Sequence, residues 1–270
     1  MAEELTVDAD GVTLAGEEAG EGDPVVLLHG LTATRRYVVH GSRSLERNGH
    51  RVIAYDARGH GASDPGPQYD YAALADDLRA VLDDRGIDRT VLAGASMGAH
   101  TLLNFAIDHP DRVKALAVIT PAFDPEDTDE KRFERWDRLS DGLRNGGVEG
   151  FVDAYGEPPV PEKWHDTVIK ILHQRLSAHE HPDALADALR EVPRSRPFER
   201  WSDLEGIDIP AVVVASRDEA DPEHPYAIGE FYADLLPQAR LVSEEPGESP
   251  LAWQGAKLSH VIAELAAEAA

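Results

Sequence analysis

Residues 90–100 read TVLAGASMGAH: a short apolar run, then Gly94-Ala95-Ser96-Met97-Gly98, then a helix-forming stretch over residues 101–107. A serine with glycine at both second neighbours, set between a strand and a helix, has the pattern of a nucleophile elbow. The turn is so tight that side chains at Gly94 and Gly98 would collide with neighbouring backbone. Such a turn lifts the Ser96 hydroxyl to the end of the strand. It also puts the Met97 N–H at the positive end of a helix, where a developing oxyanion would be stabilised.

Working outward, short apolar strands alternate with helical patterns, which predicts a parallel sheet covered by helices. Strands are expected over residues 5–8 and 12–17 as an opening hairpin, then over 24–28, 51–55, 90–93, 113–119, 210–215 and 239–243. A helix is expected over residues 71–82, where Tyr71, Leu74, Leu78, Val81 and Leu82 share one face and Gly86 supplies a stop. A closing helix carries Leu258, Val261, Ile262 and Leu265 at helical spacing. Residues 121–201 differ: they contain no convincing strand and hold Phe133, Trp136, Phe151, Tyr155, Trp164, Phe198 and Trp201. This segment reads as an inserted helical lid, whose aromatics either line a pocket or hold the lid to the core.

Three further segments fit one machine. The strand Val25-Val26-Leu27-Leu28 ends in His29-Gly30-Leu31, and the Leu31 N–H is placed to pair with that of Met97 as an oxyanion hole. Residues 56–64 read DARGHGASD, a polar glycine-rich turn after the next strand, and Ala215-Ser216-Arg217-Asp218 puts a carboxylate at a later strand end. With these motifs in this order, the chain resembles the α/β-hydrolases that carry a helical cap. The resemblance implies a mostly parallel sheet with a core of residues 1–120 and 202–270 and a cap of residues 121–201. It implies Ser96 as nucleophile, Leu31 and Met97 as oxyanion donors, and Asp218 as the acid of a triad, with Asp221 the less favoured choice. His29 and His60 then support loops, with Gly30, Gly94 and Gly98 shaping the elbow. A serine at the elbow excludes the aspartate-based dehalogenase and epoxide hydrolase chemistries and leaves ester, thioester, lactone, amide or C–C bond hydrolysis.

One element of that pattern is missing. The loop after the last strand, where the resemblance places a catalytic histidine, reads EEPGESPLAW over residues 244–253, with Glu248 in the expected slot. Losing the histidine of a serine triad costs on the order of a millionfold in turnover. His224 and Glu248 are the candidate substitutes. His224, in Asp221-Pro222-Glu223-His224-Pro225, reads more simply as a cap for the following helix, and a carboxylate such as Glu248 is a weak base for serine. His260 lies well into the last helix, His100 on a helix leading away from Ser96, and His165, His173, His179 and His181 on the charged lid.

Composition narrows the partners. The 270 residues include 51 acidic and 26 basic side chains, a formal charge of -25 spread along the chain. Such a surface repels nucleic acid and anionic membranes. There is no cysteine, so disulfides and thiolate chemistry are excluded; no metal-ligand spacing appears, and no cofactor is implied. No signal peptide or membrane span is read, which points to a cytoplasmic protein acting on a small molecule. The sequence supports a hydrolase of a small carboxylic ester, lactone or related carbonyl compound acting through Ser96. The alternatives are a pocket that binds without turnover and a non-hydrolytic, lyase-type relative.

Overall fold

The central strands read as unbroken apolar runs because the sheet they form is covered on both faces. The computed structural model describes residues 2–217 and 221–269. Its strands are β1 (Glu3–Ala9), β2 (Val12–Ala19), β3 (Asp23–Leu28), β4 (His50–Tyr55), β5 (Thr90–Ala95), β6 (Val113–Ile119), β7 (Ala211–Val214) and β8 (Ala239–Val242). They join in one sheet in the order β1-β2-β4-β3-β5-β6-β7-β8. The pairings of β1 with β2 and of β2 with β4 are antiparallel, and the rest are parallel.

Alternate residues of β3 to β7 enter different cores, as the two-residue pleat requires. Val26, Leu28, Leu92, Leu116, Val118 and Val213 point to one face. That face is covered by α2 (Tyr71–Asp84), α3 (Met97–Asp108) and α8 (Tyr226–Leu235), while Val25, Leu27, Val91, Ala93, Val212 and Val214 meet α1 (Ser44–Arg47) and α9 (Gly255–Glu268) on the other. Helix α2 starts where Asp70 accepts a hydrogen bond from the Ala73 N–H at 2.8 Å, and Gly86, at φ 64°, follows its end. Both signals are explicit in the sequence.

Between β6 and β7 the described residues form no strand. They contain α4 (Lys131–Tyr155), α5 (His165–Leu176), α6 (Pro182–Glu191) and α7 (Ser202–Glu205). Helix α4 is broken at Gly147, whose φ is 61°. Its halves then approach so closely that a Cβ on Gly142 would lie 2.4 Å from the Gly150 carbonyl oxygen. Leu139, Leu143, Phe151, Leu185 and Leu189 form a third apolar cluster with Leu31, Tyr71 and Met97. The helical segment therefore packs directly above the carboxyl ends of β3 and β5, where ligands bind in open α/β sheets.

Candidate active site

Ser96 links β5 to α3 with φ 51° and ψ -112°, a backbone conformation that a residue with a side chain adopts only when its surroundings impose it. The two glycines impose it by close approach. A Cβ on Gly94 would sit 2.3 Å from the Gly98 carbonyl oxygen, and one on Gly98 would sit 2.2 Å from that of Leu28. Gly98→Ala is accordingly expected to lower the free energy of unfolding by about 3 kcal/mol, measured from the shift of the urea midpoint. Gly30 differs. A Cβ there would approach the Ala95 oxygen at 3.4 Å, and its φ is not positive, so the turn at His29-Gly30 does not depend on glycine as strongly as the sequence suggests.

Residues 221–224 bring a carboxylate and an imidazole to this hydroxyl. Asp221 and His224 close a turn, with the His224 N–H on the Asp221 carbonyl at 3.2 Å and Pro222 at its second position, where proline's fixed φ suits the turn. The His224 Nδ1 lies 2.8 Å from Asp221 Oδ1, and its Nε2 lies 3.0 Å from Ser96 Oγ. With Nδ1–H donating to the carboxylate, Nε2 is left as the acceptor facing the serine hydroxyl. Burial by itself would depress the His224 imidazole, but the charge and hydrogen bond of Asp221, aided by Glu223, outweigh it and raise the pKa above its ordinary value.

Two backbone amides at the cavity have no acceptor of their own among the described residues: neither the Leu31 N–H nor the Met97 N–H donates to another group, and both residues line the cavity with Ser96. The loop bearing Leu31 is fixed by His29, whose Nε2 accepts from the Ala57 N–H at 2.9 Å while Nδ1–H donates to the Gly30 carbonyl at 2.8 Å. Burial pulls His29 down to about 3, so it works as a neutral strut. The ring of His60 bridges the Arg58 and Leu31 carbonyls at 2.9 and 2.8 Å.

The cavity is about 600 Å³, within the range of small-molecule sites. Its floor is the elbow, and its roof comes from α4 and α5, including Trp136, Leu139, Phe151, Tyr155 and Leu172. His100 forms one wall. Its Nε2 accepts from the Ala122 and Phe123 N–H groups at 3.1 and 3.2 Å, so its Nδ1–H donates to the Tyr71 hydroxyl oxygen at 3.1 Å. Burial holds His100 neutral, down to about 3, and raises the Tyr71 hydroxyl. The helical roof is tied to the His224 turn, because Glu223 accepts from the Arg135 guanidinium and from the Tyr155 hydroxyl at 3.1 Å.

The model of the alpha/beta hydrolase fold matches residues 23–150. The RutD protein of Caulobacter vibrioides, provisionally named a carbamate hydrolase, is 30% identical over 241 residues, covering 87% of this chain and 86% of that one. The chain belongs to the α/β-hydrolase family. A Bacillus subtilis relative, provisionally named 2-succinyl-6-hydroxy-2,4-cyclohexadiene-1-carboxylate synthase, is 26% identical over 242 residues, with 86% of each chain covered. Among solved structures, a thermophilic esterase from Thermogutta terrifontis superposes with a TM-score of 0.81 at 26% identity, covering 99% of both chains.

The other candidates of this α/β-hydrolase lie as follows. Asp218, expected as the triad acid, falls outside the described residues; the carboxylate on the His224 imidazole is that of Asp221. The sequence favours a helix-capping role for His224, yet α8 begins after Pro225 without a side-chain cap, and the ring is directed to Ser96 instead. Glu248 is exposed, pairs with Lys257 at 3.2 Å, and is absent from the cavity lining. The buried acid of that loop is Glu244, which accepts from the Arg217 and Leu251 N–H groups and so ties the exit of β7 to the next loop. Trp253, on that loop, forms a cavity wall and meets Trp164 edge-on at 6.1 Å between ring centres.

His260 is exposed and sits 3.1 Å from Glu264. His179 accepts from the Gly61 N–H at 2.9 Å and faces the Thr32 carbonyl, and His165 lies 2.7 Å from the Val160 carbonyl. His173 lies 3.5 Å from Glu149, and His181 precedes α6 with no side-chain cap. Phe198 and Trp201 pack on Tyr232 rather than on the cavity.

Among the lining residues that sequence reasoning missed is Arg175, although a signal for it exists. On α5, Val168, Ile171 and Leu172 form the apolar stripe toward the cavity, and position 175 continues that stripe at the next helical repeat.

Proposed function

We propose that this α/β-hydrolase cleaves a small carboxylic ester, lactone or related carbonyl compound, with Ser96 as nucleophile, His224 as general base and Asp221 as the carboxylate that orients it. The single observation that carries the reading is the chain of contacts from Asp221 to His224 at 2.8 Å and from His224 to Ser96 Oγ at 3.0 Å. Both distances fall within the reach proton transfer requires. His224 takes the proton as Ser96 attacks the carbonyl, and the Leu31 and Met97 N–H groups receive the oxyanion. The imidazolium then protonates the leaving group, and a water activated by the same imidazole releases the acyl group from Ser96. Asp221 favours the cationic imidazole that forms in both steps, which is the direction of its pull on the His224 pKa.

In this reading residues 1–120 and 202–270 are the catalytic core and residues 121–201 a cap that shapes the substrate cavity and, through Arg135 and Tyr155 on Glu223, holds down the turn that carries the base. The names of the relatives, an esterase and a carbamate hydrolase among them, agree with carbonyl chemistry and differ in substrate.

A fluorophosphonate probe tests the assignment, because it reacts with serines whose hydroxyl is activated. The expected result is one adduct, located on Ser96 by mass spectrometry, in a protein that turns over short acyl esters. A folded protein that neither labels nor hydrolyses such esters would overturn the reading and leave a binding protein.

A further inference from the structure

Among the described residues, Arg175 is a cavity-lining cation with no carboxylate partner. It reaches the cavity from α5, its guanidinium lies 5.3 Å from the centre of the Tyr37 ring, and its Nε is enclosed without an acceptor. The other arginines lining the cavity are spoken for: Arg132 pairs with Asp127 at 2.6 Å, and Arg135 pairs with Glu223. Among the described residues no carboxylate comes within ion-pair distance of Arg175. The acid whose charge it feels most is Asp221, and that carboxylate is bonded to His224.

Leaving a guanidinium without a carboxylate partner is unfavourable, and a fold that retains one in the cavity that also holds Ser96 gains by admitting an anion. The surroundings select the kind of anion. The walls at Tyr37, Val168 and Leu172 are uncharged, and the Asp221 carboxylate is engaged by His224, so the subsite balances at most about one unit of negative charge. A planar guanidinium fork matches a carboxylate with two parallel hydrogen bonds. The exterior field works against anions, since the chain carries a formal charge of -25, so an anion preference in this protein must arise locally.

We propose that Arg175 anchors an anion subsite, and that the substrate is a carbonyl compound bearing a carboxylate, its acid group on Arg175 and its scissile carbonyl at Ser96. The charge preference stands on Arg175 itself, and only the fate of the carbonyl rests on the hydrolase reading.

Two measurements separate the claims. Binding of levulinate and of its neutral isostere acetonylacetone is followed by quenching of the cavity tryptophans, in wild type and in Arg175→Gln and Arg175→Lys. Levulinate is expected to bind about ten- to a hundredfold more tightly than the diketone in wild type, the usual span for hydrogen bonds to a charged group. The preference disappears in Arg175→Gln and returns in part in Arg175→Lys, which restores the charge without the fork. Hydrolysis of monoethyl against diethyl succinate, followed by acid release, should show the same ratio in kcat/KM and the same collapse in Arg175→Gln. Equal binding of the acid and the diketone by wild type, or a preference that survives Arg175→Gln in protein of normal thermal stability, would overturn the subsite. Loss of Ser96 labelling with the levulinate preference intact would instead overturn the hydrolase reading and leave the subsite standing.

Discussion

His224→Ala is expected to lower kcat on any ester the protein turns over by about a millionfold and to abolish fluorophosphonate labelling of Ser96, whereas Glu248→Gln leaves both essentially unchanged. The size follows from the role. A serine hydroxyl is scarcely ionised at neutral pH, and the imbalance is removed only by a base in hydrogen-bond contact as the new bond forms. The loss corresponds to roughly 8 kcal/mol of barrier. His224 Nε2, 3.0 Å from Ser96 Oγ, has that contact; Glu248, exposed and paired with Lys257, does not. Thermal unfolding of both variants checks that the fold survives, since His224→Ala leaves the Asp221 carboxylate without its partner. A His224→Ala protein that keeps more than about a thousandth of the activity would exceed what oxyanion donors and binding alone sustain, and another base would have to be sought.

The sheet and the elbow were legible in the sequence because both are local. The apolar runs of β3, β5 and β6 declare strands buried on two faces, and GASMG at residues 94–98 declares a turn in which a Cβ at either end has no room, as the 2.2 and 2.3 Å approaches bear out in physical terms. The partner of Ser96 was not legible in the same way. His224 is 128 residues away from it, and whether a loop folds over a strand end depends on contacts no local pattern encodes. Here those contacts are the ties of Glu223 to Arg135 and Tyr155, and of Glu244 to the Arg217 and Leu251 amides. Each joins segments far apart in the chain. The loop after β8 holds no histidine, and no local pattern tells which imidazole from elsewhere in the chain comes to Ser96. On the proposed reading, the Asp221-Pro222-Glu223-His224 turn supplies both acid and base from four consecutive residues, with proline presetting the bend. Arg175 was hidden for a different reason: in a helical segment rich in charge, one more arginine attracts no notice until its place on the apolar stripe of α5 is considered.

The second large effect concerns the acid. Asp221→Asn is expected to reduce kcat by about ten-thousandfold with little change in overall fold. An asparagine can present its NH₂ to Nδ1, which moves the imidazole proton to Nε2 and leaves no lone pair facing Ser96. The pH profile distinguishes this electrostatic role from a merely structural one. In the wild type the Asp221 charge and hydrogen bond hold the His224 pKa above its ordinary value of 6.5, so kcat/KM should rise as His224 loses its proton, with a midpoint above that value. Without the carboxylate, burial dominates, and the midpoint of the residual activity should fall below it. Stability carries the opposite sign. A raised imidazole pKa contributes stability that is fully present below the ordinary histidine value of about 6.5 and is lost as pH rises through the folded-state value. Asp221→Asn should therefore destabilise the protein more in mildly acidic than in alkaline buffer, measured by urea unfolding at the two pH values. Asp218→Asn is the matched control: if it, and not Asp221→Asn, produced the large loss and the shifted profile, the orienting carboxylate would be Asp218.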